Sequence, residues 1–292
     1  MATVSIFFNH HSNHHYKLCR SYLFSLLLAL ISGGPEGLQR QLKTWEPGSN
    51  EITFFSMISF DLVLAALIPC VLISVRFGNK GCAALVHSVA GRFRWRWALR
   101  CVVTLLPVWV VYIGVEQFLT APEGSHPEPN LLGIIFIAIF ITPLQAAGEE
   151  YFFRGWMMQN VGSWFKDPRV ALFIAGAVST VTFAVAHGAT DFWILVDLGG
   201  TAIACVYLTW RTGGLEAAVA LHTVNNMIVG IGSGLAGTAS ASVVTESTTG
   251  SFVGTLVSVA MNVLAVVILL RLTRSTDVAN RAHEPYATPA IP

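Results

Sequence analysis

Residues 131–160 read LLGIIFIAIFITPLQAAGEEYFFRGWMMQN, an apolar run that carries two adjacent carboxylates, Glu149 and Glu150, and the guanidinium of Arg154. A membrane-spanning helix needs roughly 20 apolar residues, and this run is longer. A charged side chain near the centre of a bilayer costs at least roughly 2.5 kcal/mol, so ionisable residues in such a run are candidates for a functional site. The ring of Pro143 removes a backbone hydrogen bond, and we therefore expect a kink or break near it.

The composition extends this interpretation to the whole chain. The 292 residues are 54% hydrophobic and only 11% charged, with a mean hydropathy of +0.63. Soluble proteins carry roughly 25% charged residues, so the composition predicts a protein embedded in a bilayer. The 17 Lys and Arg residues nearly balance the 16 Asp and Glu residues, which excludes a nucleic-acid partner bound through bulk positive charge.

Eight apolar runs are candidates for membrane-spanning helices, and Lys and Arg concentrate in alternate loops between them. This pattern predicts an all-α, polytopic membrane helix bundle of about eight transmembrane helices, located in the cell membrane with both termini cytoplasmic. The first run is short enough to be a signal-peptide core, but we expect it to be retained as a helix. The runs are 22–31, 52–75, 97–119, 131 to a point beyond 147, 170–186, 192–210, 215–231 and 252–270.

Three predicted helices each carry a pair of polar or aromatic side chains spaced four residues apart. This spacing places both members of a pair on one face of their helix. Arg154 can neutralise Glu150, while Glu149, about 100° further around the helix axis, points elsewhere. Polar groups on three separate apolar helices need one another as hydrogen-bond partners, so we expect them to form one shared site. The pairs are Glu150 with Arg154, Phe183 with His187, and His222 with Asn226.

These residue types match the requirements of peptide hydrolysis, which needs an activated water, a base and donors to the oxyanion. In a metal-dependent version, Glu149, His187 and His222 hold Zn²⁺ or another divalent metal whose open position binds the water. In a metal-free version, Glu149 and His187 polarise the water directly, while His222 and Asn226 donate to the oxyanion. The sequence leaves both versions open.

Two other classes of function are alternatives to a protease. A catalytically silent membrane protein would bind partner proteins, as a scaffold or immunity protein. A proton-coupled transporter would relay protons through Glu149, His187 and Asp197. That class predicts internal repeats, and the two halves of the chain show no self-similarity.

The order of the motifs resembles that of a known family. E-E-x-x-x-R at 149–154, F-x-x-x-H at 183–187 and H-x-x-x-N at 222–226 follow one another in successive spans. Over about residues 140–230 the chain is similar to the CPBP family, also called Abi. These are CAAX-processing and bacteriocin-processing intramembrane proteases, related to the type II CAAX prenyl endopeptidase. The turn formed by residues 211–213, Arg-Thr-Gly, also resembles one common in that family.

The resemblance implies a multi-helix membrane fold, endopeptidase activity and a peptide or protein substrate, prenylated or not, reached in contact with membrane lipid. It also implies which residues act in catalysis and that Glu150 and Arg154 belong to the same site. The residues with implied catalytic roles are Glu149, His187, His222 and Asn226.

The runs and motifs together divide the chain into five segments. A cytoplasmic polar tail with several histidines is followed by N-terminal membrane helices and then by the core that carries the motifs. A flexible outer loop separates this core from the last membrane helix and its cytoplasmic tail. The predicted segments are 1–17, 18–130, 131–232, 233–251 and 252–292.

Overall fold

The protein folds as a bundle of helices joined by turns and loops. The computed structural model describes residues 54–78 and 83–276, together with residues 278 and 280, and these contain no β-strand. Among them, seven helical segments are long and apolar enough to cross a membrane. The prediction of an all-α, polytopic bundle is confirmed, and the protein is a multi-pass membrane protein. The segments are Met57–Gly78, Trp95–Thr120, Leu131–Gly162, Pro168–Ala186, Phe192–Thr212, Glu216–Leu235 and Phe252–Arg274.

Seven of the eight predicted runs each coincide with one of these segments. The first predicted run, 22–31, and both chain termini lie outside the described residues. The total of eight spans, the cytoplasmic termini and the five-segment division therefore stay predictions.

We number the α-helices of the described residues in chain order. They are α1 Phe54–Ala65, α2 Leu67–Ile73, α3 Ala84–His87, α4 Trp95–Thr120, α5 Leu131–Phe140, α6 Thr142–Glu150, α7 Met158–Gly162, α8 Pro168–Ala186, α9 Phe192–Thr212, α10 Glu216–Leu235 and α11 Phe252–Arg274. Two π-helical segments, Ser74–Gly78 and Tyr151–Met157, continue α2 and α6, and Ala239–Ser242 forms a 3₁₀ turn.

The segment Leu131–Gly162 is interrupted where the sequence predicts a break. α5 ends at Phe140, and α6 begins at Thr142 with Pro143 in its first turn, where a missing N–H leaves no hydrogen bond unmade. After Glu150 the backbone widens into the π-helical segment, and such segments occur frequently at functional sites. The break and the wider turn together bracket the polar residues of α6.

α10 is the central helix of the bundle. All of its residues from Glu216 to Val224 are buried, and it packs against α4, α5, α6 and α9. α6 also packs against α1, and the two backbones approach so closely at Gly148 that a Cβ there would lie 2.0 Å from the carbonyl oxygen of Leu64. Glycine at this position therefore allows α1 to lie against the polar face of α6.

An ion pair between half-buried Arg94 and buried Glu216 connects the start of α10 to the segment that precedes α4. The guanidinium of Arg94 donates to both carboxylate oxygens of Glu216, at 2.8 and 2.7 Å, and to the carbonyl oxygen of Thr212 at 2.9 Å. Gly213 ends α9 with a φ of 63°, which favours glycine, and a Cβ on Gly214 would lie 2.4 Å from the Glu216 carboxylate. Gly213 thus permits the left-handed turn, and Gly214 leaves room for the ion pair.

Candidate active site

Glu150 and Arg154 form the ion pair that their spacing predicts. Nη1 of Arg154 donates to Oε1 of Glu150 at 2.9 Å, and neither side chain is exposed. Nη2 of the same guanidinium donates to the carbonyl oxygen of Ala202 on α9 at 3.2 Å. The guanidinium carbon lies 4.6 Å from the ring centroid of Phe183, so the cation also contacts the face of an aromatic ring.

His222 of α10 joins both adjacent glutamates. Its Nδ1 lies 2.8 Å from Oε1 of Glu150, and its Nε2 lies 3.6 Å from Oε2 of Glu149. The Glu150 carboxylate, already paired with Arg154, accepts hydrogen bonds, so Nδ1 of His222 donates to it. In the neutral form of the imidazole, Nε2 is then the acceptor. The sequence predicts that Glu149 points away from Glu150, but both side chains reach the same imidazole from successive positions on α6.

The two oxygens of Glu149 have different surroundings. Oε1 accepts a hydrogen bond from Nε2 of Gln145 at 3.0 Å. Oε2 is buried and receives no hydrogen bond from the described residues, and it faces His222. One oxygen is therefore held in place while the other is available to accept a proton, which is the arrangement that a general base needs.

Asn226 reaches Glu149 through Gln145. Nδ2 of Asn226 donates to Oε1 of Gln145 at 3.2 Å, and the neighbouring Asn225 donates to Oδ1 of Asn226 at 3.2 Å. Gln145 and Asn225 are not among the site residues predicted from the motifs. For Gln145 a signal existed, since it is a polar residue within a membrane span, four positions before Glu149 on the same helix face.

The ring of Phe183 contacts the imidazole rings of both His187 and His222. His187 caps the end of α8, where its Nδ1 contacts the carbonyl oxygen of Phe183 at 2.8 Å. The ring centroid of Phe183 is 4.7 Å from that of His187 and 5.7 Å from that of His222. Within the described part of the chain, no hydrogen bond or ion pair joins His187 to Glu149. The histidine beside Glu149 is therefore His222, whereas the metal-free version expected from the sequence pairs the base with His187.

The predicted metal ligands are Glu149, His187 and His222. Each histidine has Nδ1 against an oxygen and Nε2 on the opposite side, an arrangement common in metal-ligating histidines. However, the described residues contain no group of three or more His, Cys, Asp or Glu side chains close enough to hold a metal ion. In this arrangement the three predicted ligands do not converge on one position where they could bind a metal ion together.

A carboxylate from outside the three motifs also approaches Glu149. Oγ1 of Thr142 donates to Oδ2 of Asp61 on α1 at 2.9 Å, and Asp61 is close enough to Glu149 for their charges to interact. Thr142, Gln145 and Glu149 share one face of α6, since they are three and four residues apart. Asp197, another acid within a membrane-spanning segment, instead accepts a hydrogen bond from Ser258 on α11.

Comparison with known proteins places the site within a protease family's sequence pattern. Residues 129–228 match the family model of type II CAAX prenyl endopeptidase Rce1-like proteins. The matched segment contains all six predicted site residues, and the resemblance expected from the motifs is confirmed over this segment. Asp61 lies outside it. The protein is therefore a multi-pass membrane protein. The matched segment of its helix bundle is similar in sequence to CAAX proteases.

A curated relative extends the similarity beyond this segment. The uncharacterized protein YyaK of Bacillus subtilis (strain 168) is 28% identical over 174 residues, which are 56% of this chain and 56% of that protein. The chain thus spans little more than half the length of the relative it matches. No solved structure matches the chain.

Proposed function

We propose that this protein is an intramembrane endopeptidase in which Glu149 activates the water that attacks the scissile peptide bond. The observation that carries the proposal is the pair formed by Glu149 and His222. A buried carboxylate oxygen of Glu149 faces Nε2 of His222 at 3.6 Å, inside a segment that matches a protease family. A separation of 3.6 Å lets one water molecule contact both groups.

In the proposed first step, the water donates one hydrogen bond to Oε2 of Glu149 and the other to Nε2 of His222. Its oxygen then attacks the carbonyl carbon while Glu149 takes a proton, and the carbonyl oxygen becomes an oxyanion. Asn226 has a second hydrogen on Nδ2 besides the one donated to Gln145, and it donates that hydrogen to the oxyanion. In the second step the C–N bond breaks, and Glu149 returns its proton to the departing amine.

Glu150 and Arg154 act on His222 in this mechanism rather than on the substrate. The ion pair fixes the Glu150 carboxylate, which in turn holds the Nδ1 proton and directs Nε2 towards the water. His187 accordingly lies outside the water-activating pair, and its Nε2 is an acceptor for a substrate N–H beside Phe183.

The family match makes a C-terminal CAAX peptide the substrate class to test first, in prenylated and unprenylated forms. The experiment compares cleavage of an internally quenched CAAX peptide, farnesylated or not, by purified protein in lipid nanodiscs. Wild type and a Glu123→Gln control, which alters an exposed loop acid, should cleave. Glu149→Gln should lose about a hundredfold or more of the rate.

If neither peptide is cleaved, new protein termini are compared by mass spectrometry in cells with matched membrane levels of wild type and Glu149→Gln. Termini that appear only with the wild type support the protease. Identical sets of termini, or a Glu149→Gln variant as active as the wild type, overturn the proposal. The scaffold and transporter alternatives both predict identical sets of protein termini in cells with the wild type and with Glu149→Gln.

A further inference from the structure

A chain of side-chain hydrogen bonds runs from α4 through α10 to Glu149 on α6. It begins at the indole N–H of Trp109, which donates to Oδ1 of Asn225 at 3.0 Å. Asn225 donates to Asn226, Asn226 donates to Gln145, and Gln145 donates to Oε1 of Glu149. The four bonds all point in the same direction, and their lengths lie between 3.0 and 3.2 Å.

The two ends determine the direction of the chain. An indole N–H can only donate, and an ionised carboxylate can only accept. The three amides between them must therefore each present oxygen towards Trp109 and nitrogen towards Glu149. Rotating any one amide by half a turn would place two donors or two acceptors face to face on both sides of it. Trp109 thus sets the orientation of the amide that reaches the base.

We propose that Trp109, Asn225 and Gln145 are positioning residues that hold Oε1 of Glu149, so that Oε2 stays aimed at Nε2 of His222. This inference rests on the proposed function, because it concerns the orientation of the proposed base. Trp109 is 1% exposed, so water does not compete for its N–H, and it lies outside the matched segment 129–228. Four other ionisable groups lie around Glu149. They are Asp61 on α1, His222 on α10, and both members of the Glu150–Arg154 pair that follows Glu149 along the chain.

The same helix supplies a matched control for the first experiment. Trp97 is also buried in α4, at 4% exposure, but its Nε1 has no hydrogen-bond partner among the described residues. Trp109→Phe and Trp97→Phe therefore remove the same atoms, and only the first removes a hydrogen bond. With the substrate that the wild type cleaves, Trp109→Phe should lower kcat about five- to tenfold with KM unchanged. Trp97→Phe should leave kcat within about twofold.

A double variant separates positioning from general loosening of the bundle. Gln145→Leu cuts the chain before Glu149, so adding Trp109→Phe to it should lower kcat no further. Trp109 and Gln145 do not share a hydrogen bond, and independent effects at such positions would multiply instead. If the Trp109→Phe protein does not fold, as judged by thermal unfolding in detergent, Asn225→Leu cuts the same chain at a half-buried side chain and takes its place.

The outcomes distinguish this inference from the proposed function. A Glu149→Gln variant that retains activity overturns both. An inactive Glu149→Gln variant together with equal kcat values for the two tryptophan variants overturns the positioning role alone. Effects of Trp109→Phe and Gln145→Leu that multiply also overturn it, because they would show that Trp109 acts independently of the amide chain.

Discussion

Nε2 of His222 lies 3.6 Å from Oε2 of Glu149, too far for a direct hydrogen bond. In the neutral imidazole with its proton on Nδ1, towards Glu150, Nε2 presents a lone pair to the carboxylate, and two acceptors then face each other in a buried site. Such an arrangement is stabilised by a donor between them, and a water molecule can donate to both at once. The relationship links the ion pair at Arg154 to the water that the proposed mechanism activates.

The buried ion pair leads to a stability prediction. Arg154→Met leaves the carboxylate of Glu150 buried without its cation, and removing one partner of a buried pair typically costs about 3–5 kcal/mol. We expect a large loss of thermal stability in detergent for this variant. The double variant Glu150→Gln with Arg154→Met should recover most of that stability. A double variant as unstable as the single one would show that the uncompensated charge is not the cause.

Metal dependence gives a second prediction. Because the three predicted ligands do not converge in this structure, we expect chelation to leave cleavage unchanged. The measurement is the cleavage rate after dialysis against EDTA, together with metal analysis of the purified protein. Activity that disappears and returns with Zn²⁺, with bound metal lost in both His187→Ala and His222→Ala, would contradict it. Such a result would require His187 to move towards Glu149 from its position beside Phe183.

The contact between α1 and α6 predicts a strong effect of one added methyl group. Gly148→Ala would place a Cβ 2.0 Å from the backbone oxygen of Leu64, and backbone cannot move aside cheaply. We expect lower thermal stability and reduced cleavage, since α6 carries Glu149. Gly114→Ala in α4 is the matched control, because nothing lies within 4 Å of its Cβ. Alanine there should be neutral or stabilise by about 0.5–1 kcal/mol. Equal stability of the two variants would contradict the close packing.

A histidine outside the membrane spans predicts a pH dependence of stability. His87 contacts the hydroxyl of Tyr151 through Nδ1. Burial lowers the pKa of His87 below the ordinary imidazole value of 6.5, and the negative charge of Glu216 opposes that shift only in part. Folding therefore favours neutral His87. Its contribution to stability is complete above the unfolded pKa and is lost as the pH falls from that value towards the folded pKa.

The measurement is the melting temperature of the wild type and of His87→Gln between about pH 7.5 and pH 5. The wild type should lose stability on acidification more steeply than the variant, because glutamine does not titrate. Parallel curves would assign the pH dependence to other groups.

The spans and the main polar pair could be predicted from sequence because both are local properties. Hydrophobic runs coincide with seven helical segments since each helix satisfies its own backbone hydrogen bonds in lipid. Glu150 and Arg154 meet because a spacing of four residues places side chains on one helix face. The break before Pro143 follows from the proline nitrogen, which carries no hydrogen and cannot donate a helical hydrogen bond. These features depend on residues that are close in sequence.

The choice of histidine beside Glu149 and the partners of its other oxygen depended on tertiary structure. His222, Asn225 and Trp109 belong to α10 and α4, and their approach is decided by how each helix is rotated and how closely neighbours pack. Separations between helices that are distant in sequence are set by small residues such as Gly148, which lets α1 approach α6. The sequence by itself therefore determined a bundle of membrane-spanning helices that carries the polar residues of the three motifs. Packing between helices decided which oxygen faces which nitrogen, because hydrogen bonds depend on differences of a few tenths of an ångström that helix periodicity does not encode.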